Sequence, residues 1–202
     1  MPNAVFFNSY KLKTGSLASE FLTSVDNLIN NFMSKQKGFL SFLLLADEDI
    51  WADCGIFETM EDAKNALNSS NLNKFAEVFC SFLDFDTCKS NIFSIEKRME
   101  RMTNVPNVVT FVSFKLKAKA SIPDFLVAKE NIYSDYKSRD SLLMSSKLLL
   151  DCDLWADLLY WESMEGPKDA IKSERTKAVI KEYLSFIGEV SYQRHFMVKR
   201  SY

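Results

Sequence analysis

Asp49-Ile50-Trp51-Ala52-Asp53 returns as Asp153-Leu154-Trp155-Ala156-Asp157, and Ser9-Tyr10-Lys11-Leu12-Lys13 returns as Ser113-Phe114-Lys115-Leu116-Lys117. Position 9 falls on position 113, an offset of 104, and the same offset aligns the rest of the chain without a gap. Phe21-Leu22 meets Phe125-Leu126, Glu58-Thr59-Met60-Glu61 meets Glu162-Ser163-Met164-Glu165, and Ser81-Phe82 meets Ser185-Phe186. Self-similarity at one fixed period is the mark of a duplicated structural unit. A tandem repeat is therefore expected, with copies at 1–98 and 108–202 joined by a linker at 99–107 that contains Pro106.

Each copy predicts the same elements. Residues 4–13 and 108–117 alternate bulky and polar side chains and are rich in strand formers. Leu17, Phe21, Val25, Leu28 and Phe32 recur at helical spacing, as do Ile122, Phe125, Ala128, Ile132 and Tyr136. Residues 38–46 and 50–58 predict two strands joined by the acidic turn Asp47-Glu48-Asp49, echoed by Asp151-Cys152-Asp153. Two short helices, 60–67 and 72–83, and a closing strand, 88–96, complete a β-α-β-β-α-α-β order. Such a split βαβ unit forms an antiparallel sheet with helices on one face only. The bare face needs cover, so the expected fold is α+β: two ferredoxin-like repeats whose sheets pack face to face as a dimeric α+β barrel within one chain.

Composition narrows the function. Of 202 residues 47% are hydrophobic, enough for a packed core, and the net charge of -2 comes from scattered charges with no basic footprint for nucleic acid. No signal peptide is legible at the start, and the longest apolar run, 39–46, is far too short to span a bilayer. A soluble, cytoplasmic protein without a membrane partner is expected. Cys54, Cys80, Cys88 and Cys152 have no metal-binding spacing, and none has a cysteine at its matching position, so reduced thiols are expected. With His195 as the sole histidine, no metal site is expected either.

Within this repeat, the run Asp157-Leu158-Leu159-Tyr160-Trp161-Glu162-Ser163 resembles the third-strand motif of the antibiotic biosynthesis monooxygenase family, in which Trp-Glu-Ser runs into a short alanine-bearing helix. The resemblance covers nearly the whole chain twice and implies the dimeric α+β barrel superfamily. It implies for Trp161 the role of a pocket tryptophan and for Asp157 a polar pocket position. It further implies cofactor-independent oxygenation of a small aromatic, phenol- or hydroquinone-like substrate. Asn8 matches a functional asparagine of the family's haem-degrading branch, but that branch's helical histidine has no counterpart and Phe57 replaces its tryptophan, so haem degradation is not expected.

Side chains alternate along a strand, so Trp155, Asp157, Leu159 and Trp161 share one face and Trp51, Asp53, Gly55 and Phe57 share its counterpart. Gly55 in place of Leu159 would enlarge the first pocket. Asp157 as base and Trp161 as aromatic clamp form the expected catalytic pair, with Asn8, Trp51, Asp53, Phe57, Trp155 and His195 lining a substrate pocket. Each also has a plainer reading: strand aromatics as core, the aspartates as structural ion pairs, His195 as a packed surface residue. A non-catalytic binder of a small apolar molecule and a structural module filled by the 17 phenylalanines stay open beside the enzyme, as does association of two chains.

Overall fold

The computed structural model describes residues 4–70, 73–100, 106–137, 142–149, 154–172 and 174–202. Parts of the expected linker, the 151–153 turn and Cys152 lie outside the described residues. The chain divides into a first unit, Met1–Ile95 with Val198–Tyr202, and a second unit, Glu96–Met197.

In the first unit the order is β1 (Ala4–Leu12), α1 (Ala18–Asn31), a 3-10 turn (Met33–Lys35), β2 (Phe39–Asp47), β3 (Ile50–Phe57), α2 (Met60–Ser70), α3 (Lys74–Ser81) and β4 (Leu83–Glu100). Strand β1 pairs antiparallel with β3 and β4, and β2 with β3, giving the sheet order β4-β1-β3-β2. The second unit repeats this as β5 (Val108–Leu116), α4 (Ile122–Lys137), β6 (Leu142–Leu149), β7 (Leu154–Trp161), α5 (Glu165–Ala170), α6 (Glu174–Phe186) and β8 (Ile187–Ser201), in the order β8-β5-β7-β6. Both sheets are antiparallel and each unit is α+β, as expected.

One aromatic cluster recurs in each core and fixes the first helix to its sheet. Phe21 on α1 meets Trp51 edge-on at 5.0 Å, and Phe125 on α4 meets Trp155 at the same distance. Tyr10, Phe79 and Phe82 complete the first cluster, and Phe114, Tyr183 and Phe186 the second. Offset and edge-to-face aromatic pairs add about 0.5–1.5 kcal/mol beyond their burial. The β2–β3 turn closes at the acidic run, where Glu48 takes a left-handed φ of 53°, uncommon for a residue with a Cβ.

Two details depart from the sequence reading. Strand β4 starts at Leu83, directly after α3, and not at residue 88. The gapless alignment also slips by one residue on the closing strand. Asn8 pairs with Ser90 while its counterpart Val112 pairs with Gln193, so His195 stands in the row of Ile92 and not of Asn91. The cause is unequal irregularities: between its bonds to Leu12 and Ser9 β4 runs from Leu83 to Lys89, whereas β8, with two smaller shifts, runs from Ile187 to Tyr192 between Leu116 and Ser113, one residue fewer. Among the described residues, no helix is long and apolar enough to cross a membrane.

Candidate functional site

In the first unit, register sets Asp53 on β3, Asn8 on β1 and Ser90 on β4 side by side in one cross-strand row. The row is hydrogen-bonded along its length: Ser90 Oγ donates to Asn8 Oδ1 at 2.5 Å, and Asn8 Nδ2 donates to Asp53 Oδ1 at 2.6 Å. Ser90 is exposed, Asn8 half-buried and Asp53 only 3% exposed, so the row leads from solvent to a buried carboxyl. Burial raises the Asp53 pKa to about 7, and the hydrogen-bonding groups of Asn8 and Tyr10 only partly oppose it. Tyr10 sits at the β1 irregularity. Its hydroxyl is buried and completes no hydrogen bond in this conformation, yet it stands near enough to Asp53 that burial, then that charge, hold its pKa well above 10.

These groups line a cavity of about 200 Å³ between sheet and helices, walled by Phe6, Leu28, Phe42 and Phe79, with the exposed Phe85 among its lining. Gly55 does not enlarge it. A Cβ at Gly55 would lie 2.3 Å from the Phe6 ring, because Phe6, its cross-strand neighbour, already fills the space a side chain would take. Phe57 is fully buried against Phe6 and Phe39, and Trp51 packs on Phe21; neither lines the cavity.

The matching carboxylate of the second unit is surrounded differently. Tyr133 and Tyr183 donate to Asp157 Oδ1 and Oδ2 at 2.7 and 2.6 Å. Lys129 Nζ lies 3.0 Å from Oδ1, within ion-pair distance though off the angle of a hydrogen bond. Lys129 is 0% exposed and sits against the rings of Phe114, Phe125 and Trp155. A half-buried carboxylate with a fully buried ammonium beside it has its charge met in place. The Tyr183 pKa is pushed well above 10 by burial and by the charge of Asp157.

A cavity of about 270 Å³ also lies over this sheet, lined by Asp157, Leu159, Trp161 and His195. Trp161 Nε1 donates to Thr110 Oγ1 at 2.9 Å, and Thr110 Oγ1 lies 2.7 Å from His195 Nδ1. Trp155 is in the aromatic core and outside the lining. Of the sequence candidates, Asn8 and Asp53 therefore meet in one cavity, and Asp157, Trp161 and His195 in the other. Tyr10, Ser90, Lys129, Thr110, Tyr133 and Tyr183 were missed. Lys129 was within reach of pattern reading: it lies four residues after Phe125, on the apolar stripe of its helix, and the position 104 residues earlier is Val25.

Among the described residues no group of three or more His, Cys, Asp and Glu side chains is gathered as a metal site. Cys80 and Cys88 form no disulfide.

No protein-family model matches the chain, and no curated protein does. Solved structures do match over nearly the whole chain. A protein from Fusobacterium nucleatum provisionally named a monooxygenase is 11% identical with a TM-score of 0.79, over 99% of this chain and 94% of that one. An anthrone oxidase-like protein is 11% identical with a TM-score of 0.69, over 99% and 92%. A ferredoxin-fold protein of Listeria monocytogenes related to antibiotic biosynthesis monooxygenases is 12% identical with a TM-score of 0.58, over 98% and 95%. At such identity the likeness is one of fold alone, a ferredoxin-like α+β architecture.

Proposed function

We propose that the first unit holds a cofactor-independent oxygenase site for a one- or two-ring phenol-like molecule, with Asp53 as the base. The supporting observation is a buried carboxyl that no cation neutralises among the described contacts, with a pKa of about 7, set in an apolar cavity. A general base is most effective when its pKa lies near the working pH. The sequence reading gave this role to Asp157; the proposal moves it to Asp53 because Asp157 already has Lys129 and two tyrosine hydroxyls. The cavity lies below the roughly 300–1,000 Å³ of ordinary drug-sized sites, which favours one or two rings. Asn8, held by Ser90, would orient the carboxyl, and Tyr10 would bring a hydroxyl to the substrate oxygen.

The chemistry asks little of the protein. Asp53 takes the acidic proton, the electron-rich anion gives electrons to dioxygen, and a carbon–oxygen bond forms as a hydroperoxide. Loss of water then converts a methylene to a carbonyl, so that R2CH2 and O2 yield R2CO and H2O. A dry cavity protects the anion from solvent. The fold neighbours named as monooxygenases and as anthrone oxidase-like support this reaction class.

The same proposal includes descent of the two units from one ancestral copy, supported by aromatic clusters recurring at the 104-residue offset, and their pairing as a pseudo-dimer. It keeps the domain limits at 1–98 and 108–202, a cytoplasmic setting, and a small aromatic partner in preference to nucleic acid or membrane. The test is oxygen uptake with a panel of one- and two-ring phenols that includes hydroquinone, 1-naphthol and 2-naphthol. Uptake by the wild-type chain that falls at least a hundredfold in Asp53→Asn supports the assignment; equal uptake in both proteins rejects it.

A further inference from the structure

The second unit repeats the cavity but not its chemistry. The row that links Asp53 through Asn8 to Ser90 becomes Asp157, Val112 and Gln193. Val112 carries no hydrogen-bonding group, so Gln193 is insulated from the carboxylate. Asp157 is itself matched by Lys129 and accepts from Tyr133 and Tyr183. The lining thus presents no uncompensated charge from this carboxylate, and an anionic or acidic ligand gains nothing there from a base.

What the cavity does present is an aromatic wall and one polar corner. Trp161 is 1% exposed, its ring oriented by the bond to Thr110 and braced edge-on by Tyr136 at 5.8 Å. Thr110 and His195 are tied to each other, while Gln193, exposed at the rim, adds an amide that can donate. Ile132, Leu159 and Ile180 supply the apolar remainder.

We infer that the second unit's cavity is a separate, non-catalytic binding site for a small neutral aromatic ketone, whose ring lies against Trp161 and whose carbonyl accepts from the Gln193 amide. A neutral carbonyl compound is also what the reaction assigned to the first unit releases, but this site stands on its own residues and does not depend on that reaction.

The experiment is calorimetric titration of the full chain with 1-indanone and with indane, which has the same two rings and no carbonyl. The expected result is one 1-indanone per chain, bound at least fivefold more tightly than indane. Gln193→Leu should remove that preference while leaving indane affinity unchanged. Leu184→Trp, on a side chain 49% exposed in the lining, should weaken both ligands tenfold or more without disturbing the core. Asp53→Asn should leave 1-indanone affinity unchanged even where it abolishes oxygen uptake, which separates this site from the first.

Absence of 1-indanone binding, or binding indifferent to Leu184→Trp, overturns the site. Binding lost in Asp53→Asn assigns the ligand to the first unit and overturns it equally. Indane binding as tightly as 1-indanone, or a preference that survives Gln193→Leu, overturns the ketone class.

Discussion

Asp53 on β3 and Asp157 on β7 occupy corresponding positions of their strands, yet their neighbours give them opposite chemistry. For Asp53 burial dominates, and its pKa rises from an ordinary carboxyl value to about 7. The unfolded chain then binds fewer protons than the native one between about pH 4 and 7, so this residue's contribution to stability falls across that window and is flat above it. At roughly 1.36 kcal/mol per unit, the whole effect is on the order of 4 kcal/mol. Asp53→Asn should accordingly raise stability at pH 8 by a few kcal/mol and change it little at pH 4; equal effects in denaturant titrations at the two pH values would contradict the buried-charge account. The same titration gives oxygen uptake a rising limb centred near pH 7, absent in Asp53→Asn. For Asp157 the pair dominates. Lys129→Met leaves its carboxylate without the cation and should cost roughly 3–5 kcal/mol, while Lys129→Met with Asp157→Asn should recover much of that loss. A double variant no more stable than Lys129→Met alone would show that the pair is not what the lysine serves.

Paired strands explain why two cavities built on one plan differ in shape. In the first unit Phe6 lies across from Gly55, and in the second Thr110 lies across from Leu159. Bulk has moved from one strand to its neighbour, and only Gly55 leaves room for the Phe6 ring. Gly55→Leu should therefore cost about 1–3 kcal/mol through overpacking, and Phe6→Thr about 3–5 kcal/mol through a cavity. Together they should cost at least 1 kcal/mol less than the sum, as measured by a double-mutant cycle; strict additivity would mean that the two positions do not share that space. This exchange was beyond single-strand reading. Alternation grouped Asp53 with Trp51, Gly55 and Phe57 on one face of β3, and Asp157 with Trp155, Leu159 and Trp161 on one face of β7, because a period of two is local information. It could not say that Phe6 would occupy the space at Gly55, which depends on a residue 49 positions away in register with it. Strand β4 began five residues before its expected start for a related reason. Asp84 and Asp86 disfavour a strand locally, and pairing of Leu83 and Asp84 with β1 overrides that preference. Likewise Tyr133 and Tyr183 carry no sign in the sequence that their hydroxyls converge on Asp157.

At the scale of the whole molecule, sequence order and structural membership part company at the C-terminus. Alignment at the 104-residue offset predicts that the last residues go with positions 108–197, but Val198–Tyr202 belongs with the first unit. The Phe42 amide donates to the Tyr202 carbonyl and the Tyr202 amide to the Phe42 carbonyl, both at 3.0 Å, so the final residue extends the pairing of β2. The Tyr202 ring meets Phe42 edge-on at 6.1 Å, and its hydroxyl donates to Asp26 on α1, where Arg200 also pairs at 3.2 Å. Tyr202 is thereby bonded to both a strand and a helix of the first unit. The Arg200–Asp26 pair is about 40% exposed on both sides, so water screens it and the stabilisation rests on the backbone pair and the ring. Deleting residues 198–202 should thus act on the first unit while sparing the core of the second. Hydrogen exchange followed by mass spectrometry should find protection lost at Phe42 and along β2, with a smaller loss in α1, while β5 and β7 keep theirs. The expected change is about 1–3 kcal/mol at Phe42, the scale of a buried peptide group left without its partner. Loss spread evenly over both units would mean that these five residues hold the fold as a whole, and unchanged exchange at Phe42 would mean that the pairing with Tyr202 contributes nothing measurable to β2.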